Sequence, residues 1–214
     1  MFTLGLDPSI TGFGWCIHDS EAEGPARVIL RGQFKTSPKD IFVTRYIFLR
    51  DSVGRLLDEN PVVEAVGVES PPFGEQWSEG LYALFLMVTE AVYLRRKDVV
   101  YFDPGTVKML AKGDPRLRPG KMFKADMVDA ARADTGIKGK FNHNEADAYH
   151  IARFAARFWD LYHGRLEAEH LTPSEQQAFV KIHTFVRGKQ AGKTVHQGAL
   201  FKENKRFFRF SLLP

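Results

Sequence analysis

Met1-Phe-Thr-Leu-Gly-Leu-Asp-Pro-Ser-Ile-Thr-Gly-Phe-Gly-Trp15 opens the chain. Apolar residues crowd Met1 to Leu6, Asp7 ends the run, Pro8 and Ser9 break the pattern, and Gly12-Phe-Gly-Trp15 resumes it. This is the pattern of a hairpin with a carboxylate at its mouth. A strand apolar on both faces belongs in the middle of its sheet, so Asp7 is expected where a buried sheet surfaces. The same aspartate would equally cap the turn through an Asx bond to its own backbone. The stretch alone leaves both readings open.

Working outward, residues 13–18 and 27–34 read as two further strands of an antiparallel meander, joined through a turn-rich link at 19–25. Residues 40–60 carry Ile41, Ile47, Phe48, Val53, Leu56 and Leu57 between charges, the spacing of an amphipathic helix that stops before Pro61. Residues 62–68 form a buried-type strand that runs into Glu69-Ser-Pro-Pro-Phe-Gly74. A second carboxylate thus leaves a core strand at a proline-enforced turn. Residues 78–96 predict a long apolar helix, 99–102 a short strand, and 104–112 a helix opened by Pro104. Periodicity breaks over 113–120 and resumes as helices over 121–132 and 144–162. After the meander, the order is strand and helix in alternation.

Asp147 lies three residues after Asn144 and four after His143, so a helix start there gathers these side chains on one face and turns Glu145 elsewhere. An aspartate in a first turn also complements the helix dipole, and Asn144 is a candidate N-cap. Arg116, Arg118, Lys121 and Lys124 make the preceding loop a candidate phosphate contact or simply a solvated basic loop.

The chain has 214 residues, 44% hydrophobic content, net charge +4, a sequence pI near 9.1 and a single cysteine, Cys16. One substantial core is affordable at this size. One cysteine excludes a disulfide framework and a cysteine-based zinc site. No apolar run is long enough for a membrane span and the N-terminus shows no targeting signal. The expectation is a cytoplasmic protein with no membrane partner. Residues 164–214 carry nine Lys/Arg against four Asp/Glu, a net of five positive charges that accounts for the basic balance of the whole chain. Its Gly188 to Gly192 stretch reads as flexible, and its later phenylalanines suit either stacking on nucleic acid or packing on the core.

Asp7, Glu69 and Asp147 together, two at strand ends and one at a helix start, supply what two hard divalent cations need: oxygen ligands from separate elements. Two such ions about 4 Å apart activate a water and stabilise the leaving oxygen in phosphodiester cleavage. The stretches around Asp7, around Glu69 (Val-Gly-Val-Glu-Ser-Pro-Pro-Phe73) and around Asp147 (Asn144-Glu-Ala-Asp-Ala-Tyr-His-Ile-Ala152) resemble, in order and spacing over roughly residues 1–160, the motifs of RuvC-type Holliday junction resolvases.

That resemblance implies an α/β, ribonuclease H-like fold: a central five-stranded mixed sheet flanked by helices over residues 1–163, with 164–214 as a C-terminal extension. It implies a nuclease that uses Mg2+, with Mn2+ able to substitute, and no small-molecule cofactor. The activity implied is resolution of four-way junctions and other branched DNA by a homodimer. Asp7, Glu69 and Asp147 match three of the family's four metal-binding acids. The fourth position departs: Asn144 stands where an aspartate is usual, with His143 one residue earlier, and either residue is a candidate to bind metal or orient water. Phe73, with Trp77 behind it, is similar to the aromatic that wedges into the junction. Lys108 and Lys124 are similar to lysines facing the scissile strand. Cleavage of RNA–DNA hybrids, an actin-like or sugar-kinase-like ATPase, and a catalytically impaired DNA-binding protein are the competing readings.

Overall fold

The computed structural model describes residues 1–71, 78–116, 124–203 and 205–210. Strands β1 (Phe2–Asp7), β2 (Gly12–Asp19) and β3 (Val28–Lys35) form the antiparallel meander. Helix α1 (Phe42–Glu59) returns the chain so that β4 (Ala65–Glu69) pairs parallel with β1 on its free side. Helix α2 (Glu79–Tyr93), started by the Ser78 hydroxyl accepting from the Leu81 amide, leads to β5 (Asp98–Phe102), parallel to β4. Then come α3 (Pro104–Lys112), α4 (Lys124–Thr135) and the 20-residue α5 (His143–Tyr162). The Asp103 carboxylate caps α3, and Gly113 ends it in the left-handed conformation at φ 69°, the one region where glycine costs nothing.

Strand alternation divides the core. Leu4, Leu6, Val66 and Val68 point to one face of the sheet, where they pack with Leu49 and Val53 of α1 and Leu84 and Val88 of α2. Thr3, Gly5, Ala65 and Gly67 point to the other face, beneath α5. By the same two-residue period, Asp7 and Glu69 continue the α5 face. The Thr3 hydroxyl donates to the Ala152 carbonyl at 2.9 Å. A Cβ on Gly5 would lie 2.0 Å from the Ala148 carbonyl oxygen, one on Gly14 2.2 Å from that of Asn144, and one on Gly67 2.9 Å from the Ala155 side chain. Residues 144, 148, 152 and 155 are spaced by four, four and three, so one stripe of α5 lies against the bare backbones of three strands.

The sheet has six strands rather than five. A short helical turn, α6 (Pro173–Glu175), continues as a π-type turn over Gln176–Val180. Strands β6 (Ile182–Thr184) and β7 (Thr194–His196) form a separate hairpin, turned at Gly188 and Gly192 with φ of 81° and 82°. Strand β8 (Phe207–Phe208) then adds antiparallel to β5, completing the order β3-β2-β1-β4-β5-β8. Phe179 and Phe207 are fully buried with Phe158 and Trp159 of α5, the Phe158 and Phe207 rings 5.0 Å apart. Each such side chain contributes about 1.5–3 kcal/mol by burial. Arg157 of α5 grips the buried Glu175 carboxylate with two nitrogens, at 2.8 and 3.1 Å. Phe179 and Phe207 thus join the C-terminal segment to the core on the α5 side, while Phe208 packs on the opposite face with the α1–α2 cluster. Of the two roles the later phenylalanines suit, Phe207 takes the packing one, whereas Phe201 is 47% exposed.

Gly5→Val should cost upwards of about 3 kcal/mol, because the atoms in its way are helix backbone that cannot step aside. Gly139→Ala, whose Cβ would meet nothing within 4 Å, should stay within about 0.5 kcal/mol of wild type. Denaturant melts of the two variants measure both, and equal midpoints would show that α5 does not depend on the bare strand.

Candidate active site

Parallel pairing of β1 and β4 in the register Leu6↔Val68 brings Asp7 and Glu69 to matching positions at the carboxyl ends of adjacent strands. Ligand sites of open α/β sheets form at such ends. Helix α5, held close by Gly5 and Gly14, sets Asn144 and Asp147 above them. The result is a cavity of about 270 Å3 lined by Asp7, Ser9, Glu69, Lys108, Lys124, Asn144 and Asp147, with Pro104, Val107 and Met127 as its apolar wall.

Three carboxyls share this space with two lysines. Burial, then the charge of Asp147, pushes the Asp7 carboxyl up to about 7, with Lys124 pulling the other way. Burial, then Asp7 and Asp147, raises Glu69 well above the usual carboxylate range against the pull of Lys108. Burial raises Asp147 to about 6, opposed by Lys108 and Lys124. None of the three acids forms an ion pair among the described residues. Carboxyls raised by burial, and in Asp7 and Glu69 also by neighbouring carboxylate charge, are under-neutralised, and a hard cation relieves them. They line one cavity without closing into a cage: among the described residues, no three acidic, histidine or cysteine side chains are gathered closely enough to ligate one ion. The donor set is oxygen from carboxylates and an amide, which suits magnesium or manganese and not zinc or copper.

The cap of α5 is Asn142, not Asn144. The Asn142 side chain accepts from the Glu145 amide at 2.9 Å, and the Glu145 carboxylate accepts from the Asn142 amide at 3.3 Å. This frees Asn144 to reach across to the hairpin mouth, where its side-chain amide donates to the Gly12 carbonyl at 2.7 Å. A carboxylate at 144 would set oxygen against oxygen in this contact; the amide turns it into a hydrogen bond. His143 does not line the cavity. Its imidazole is lowered by partial burial and by nearby Lys124.

Lys108 and Lys124 face the acids from α3 and α4. Arg116 is exposed in the loop after α3 and does not line the cavity, although its backbone amide is held by Asp114. Phe73, Trp77, Arg118 and Lys121 lie outside the described residues. Ser9 enters the cavity without having been singled out; its place two residues after a strand-end acid, at the same turn, was the signal for it.

No protein-family model matches the sequence, and no curated protein matches it. Solved structures do. RuvC of Thermus thermophilus superposes with a TM-score of 0.62 at 25% identity, over 75% of this chain and 96% of that one. T. thermophilus RuvC in complex with Holliday junction substrate superposes with a TM-score of 0.60 at 25% identity, over 72% of this chain and 91% of that one. The chain is an α/β protein of the ribonuclease H-like class. Within that class its fold is RuvC-like. Among the described residues no helix is long and apolar enough to cross a membrane.

The raised carboxyls set a pH dependence. Folded Asp7 and Asp147 hold their protons up to about 7 and 6, against 3.8 for an ordinary aspartate. Between those limits the folded state binds more protons than the unfolded one, so stability present at pH 4 is lost as pH rises to 7. In chelator, wild type should melt at a falling temperature across that window. Asp7→Asn should flatten the fall and melt higher than wild type at pH 8, and a difference that does not change with pH would show Asp7 to be unstrained.

Proposed function

We propose that the protein is a divalent-metal-dependent nuclease that resolves branched DNA, four-way junctions above all, by phosphodiester hydrolysis. One observation carries the reading: on a RuvC-like fold, Asp7, Glu69 and Asp147 reach a single cavity with their charge under-neutralised and two lysines opposite. The acids would hold magnesium, with manganese able to replace it, and such ions when bound activate a water and stabilise the leaving oxygen. Lys108 and Lys124 attract the scissile phosphate and hold it against the acids as point charges. Asn144, tied to the Gly12 carbonyl, locks the start of α5 to the hairpin mouth and keeps Asp147 and Asp7 at a fixed separation. Its amide oxygen remains the only atom it can offer a cation, so at this position the fourth ligand is neutral. The T. thermophilus structure with Holliday junction substrate supports the choice of branched DNA.

Pairing into a homodimer is part of this proposal. Ile41, Phe42 and Val43 at the start of α1 are 73%, 52% and 58% exposed, a run of apolar surface at the amino end of the helix. Contiguous exposed apolar residues of this kind mark contact sites. A two-fold dimer would present two cavities to the two like strands of a junction.

Magnesium-dependent cleavage should appear on a fixed four-way junction and be weaker on a fork, an RNA–DNA hybrid and a linear duplex. Faster cutting of the hybrid would make this a ribonuclease H instead, and no cutting of any substrate would leave a binding protein. Asp7→Asn, Glu69→Gln and Asp147→Asn should each bring cleavage to background while leaving junction affinity within a few-fold, because the surrounding bases supply the affinity. Normal turnover in one of them would remove that residue from the site.

Asn144→Ala should lower the rate about 10–100-fold, as removal of a positioning contact around a metal does. His143→Ala should leave it within a few-fold, and a loss as large as that of Asn144→Ala would bring the histidine into the mechanism. Magnesium added to the metal-free protein near neutral pH should raise the melting temperature of wild type and not of Asp7→Asn.

A further inference from the structure

The C-terminal segment brings cations to the same end of the sheet as the acids. Lys181 ends the π-type turn, Lys202 and Arg206 lie just before β8, and all three line one polar cavity of about 250 Å3. Asp103 is the sole acid among the described residues of its wall, and it is committed: it caps α3 through the Thr106 amide at 2.9 Å and hydroxyl at 2.6 Å, and pairs with Arg206 at 3.5 Å. Lys181 and Lys202 make no ion pair or side-chain hydrogen bond among the described residues. Three cations against one spoken-for carboxylate leave the cavity with an excess of two positive charges. Gln177, Gln197 and Thr106 add neutral hydrogen-bonding groups. Lys202 and Arg206 also line the neighbouring cavity of about 480 Å3, with Lys205 and the rings of Tyr82 and Phe85. Lys202 and Arg206 therefore stand between two hollows.

Position supplies the rest. The cavity wall includes Tyr101, Phe102 and Asp103 at the carboxyl end of β5, and Phe102 pairs in register with Glu69. Neighbouring strands are about 4.8 Å apart, so this cavity begins one strand beyond Glu69 and two beyond Asp7. A nucleic-acid strand rising about 3.4 Å per nucleotide spans that separation within a few nucleotides.

We infer that the C-terminal segment builds a second phosphate-binding site, formed by Lys181, Lys202 and Arg206, that takes a backbone phosphate of the DNA strand leaving the catalytic cavity. This rests on the nuclease reading of that cavity. Charge-assisted contacts from lysine and arginine are the usual means of positioning a strand without reading its sequence, and the polar walls suit a hydrated phosphodiester better than an apolar ligand.

The test uses the full chain without divalent metal, measuring junction affinity over a series of salt concentrations. Lys181→Ala/Lys202→Ala is compared with Lys189→Ala/Lys193→Ala, which removes the same charge from the exposed turn between β6 and β7. Two lost phosphate contacts should flatten the plot of log affinity against log salt by about two and weaken low-salt binding about tenfold or more, against less than one for the reference pair. Single-turnover cleavage at saturating protein should be unchanged in the reference pair. Lys181→Met/Lys202→Met, which keeps the side-chain stems, repeats the measurement should alanine lower the melting temperature.

Equal slopes for the two pairs, or no change in either, overturn the site and leave the nuclease reading intact. A wild type that binds junctions but cuts nothing in magnesium overturns the nuclease reading, while the slopes still decide the phosphate site. A wild type that does not bind DNA overturns both.

Discussion

Everything at the end of the sheet that holds Asp7, Glu69 and Asp147 depends on how closely α5 lies on it. Glycines at 5, 14 and 67 let a helix rest on strand backbone at distances no side chain would allow, and the alanines of α5 complete the contact. This is a steric fit before it is an energetic one. It determines where Asn144 and Asp147 stand relative to Asp7 and Glu69, and precision of that kind is what a site built from separate elements needs.

The same closeness creates the electrostatic tension. Strand alternation alone would place Asp7 and Glu69 side by side on the α5 face; the helix then brings a third carboxyl and takes solvent away. With a carboxylate at 144 as well, the cavity would hold four acids against Lys108 and Lys124. With Asn144 it holds three, and the residue serves as a tie between the helix start and the hairpin. The substitution lowers the negative charge of the cavity and strengthens its frame, so a cation bound there would be held by less charge on a stiffer support.

The elements from β1 to α5 were legible because each combines a clear period with a clear stop: alternation ended by Pro8 or Pro71, a 3.6-residue pattern ended by Pro61 or Gly113. Strand-end placement of Asp7 and Glu69 followed from the same signals. The α5 cap lies two residues before the candidate Asn144 because the run Asn142-His-Asn144 offers two asparagines. Only the glutamate three residues after Asn142 distinguishes them, through the capping box. Strand β8 was not legible at all: two phenylalanines among charges carry no period, and they become a strand only because β5 has a free side for them. The turn at Gly188 to Gly192 read as flexible for a similar reason, since the hairpin that it closes has strands of three residues. The stripe of helix contacts on Gly5, Gly14 and Gly67 was equally hidden, because a glycine in a strand shows that something approaches and not what it is.

Strand β8 has a consequence for the chain as a material. A parallel strand such as β5, apolar on both sides, would present a row of unpaired amides and carbonyls if it bordered the sheet, which is a template for edge-to-edge joining of molecules. Phe207 and Phe208 occupy that border, and the Asp98 carboxylate accepts from the Phe210 amide at 2.8 Å to fasten the end. Two residues of strand thus act as a selvedge that keeps the weave from being extended by a neighbour. Whatever else the C-terminal segment does, a chain trimmed before it would be one that sticks to itself.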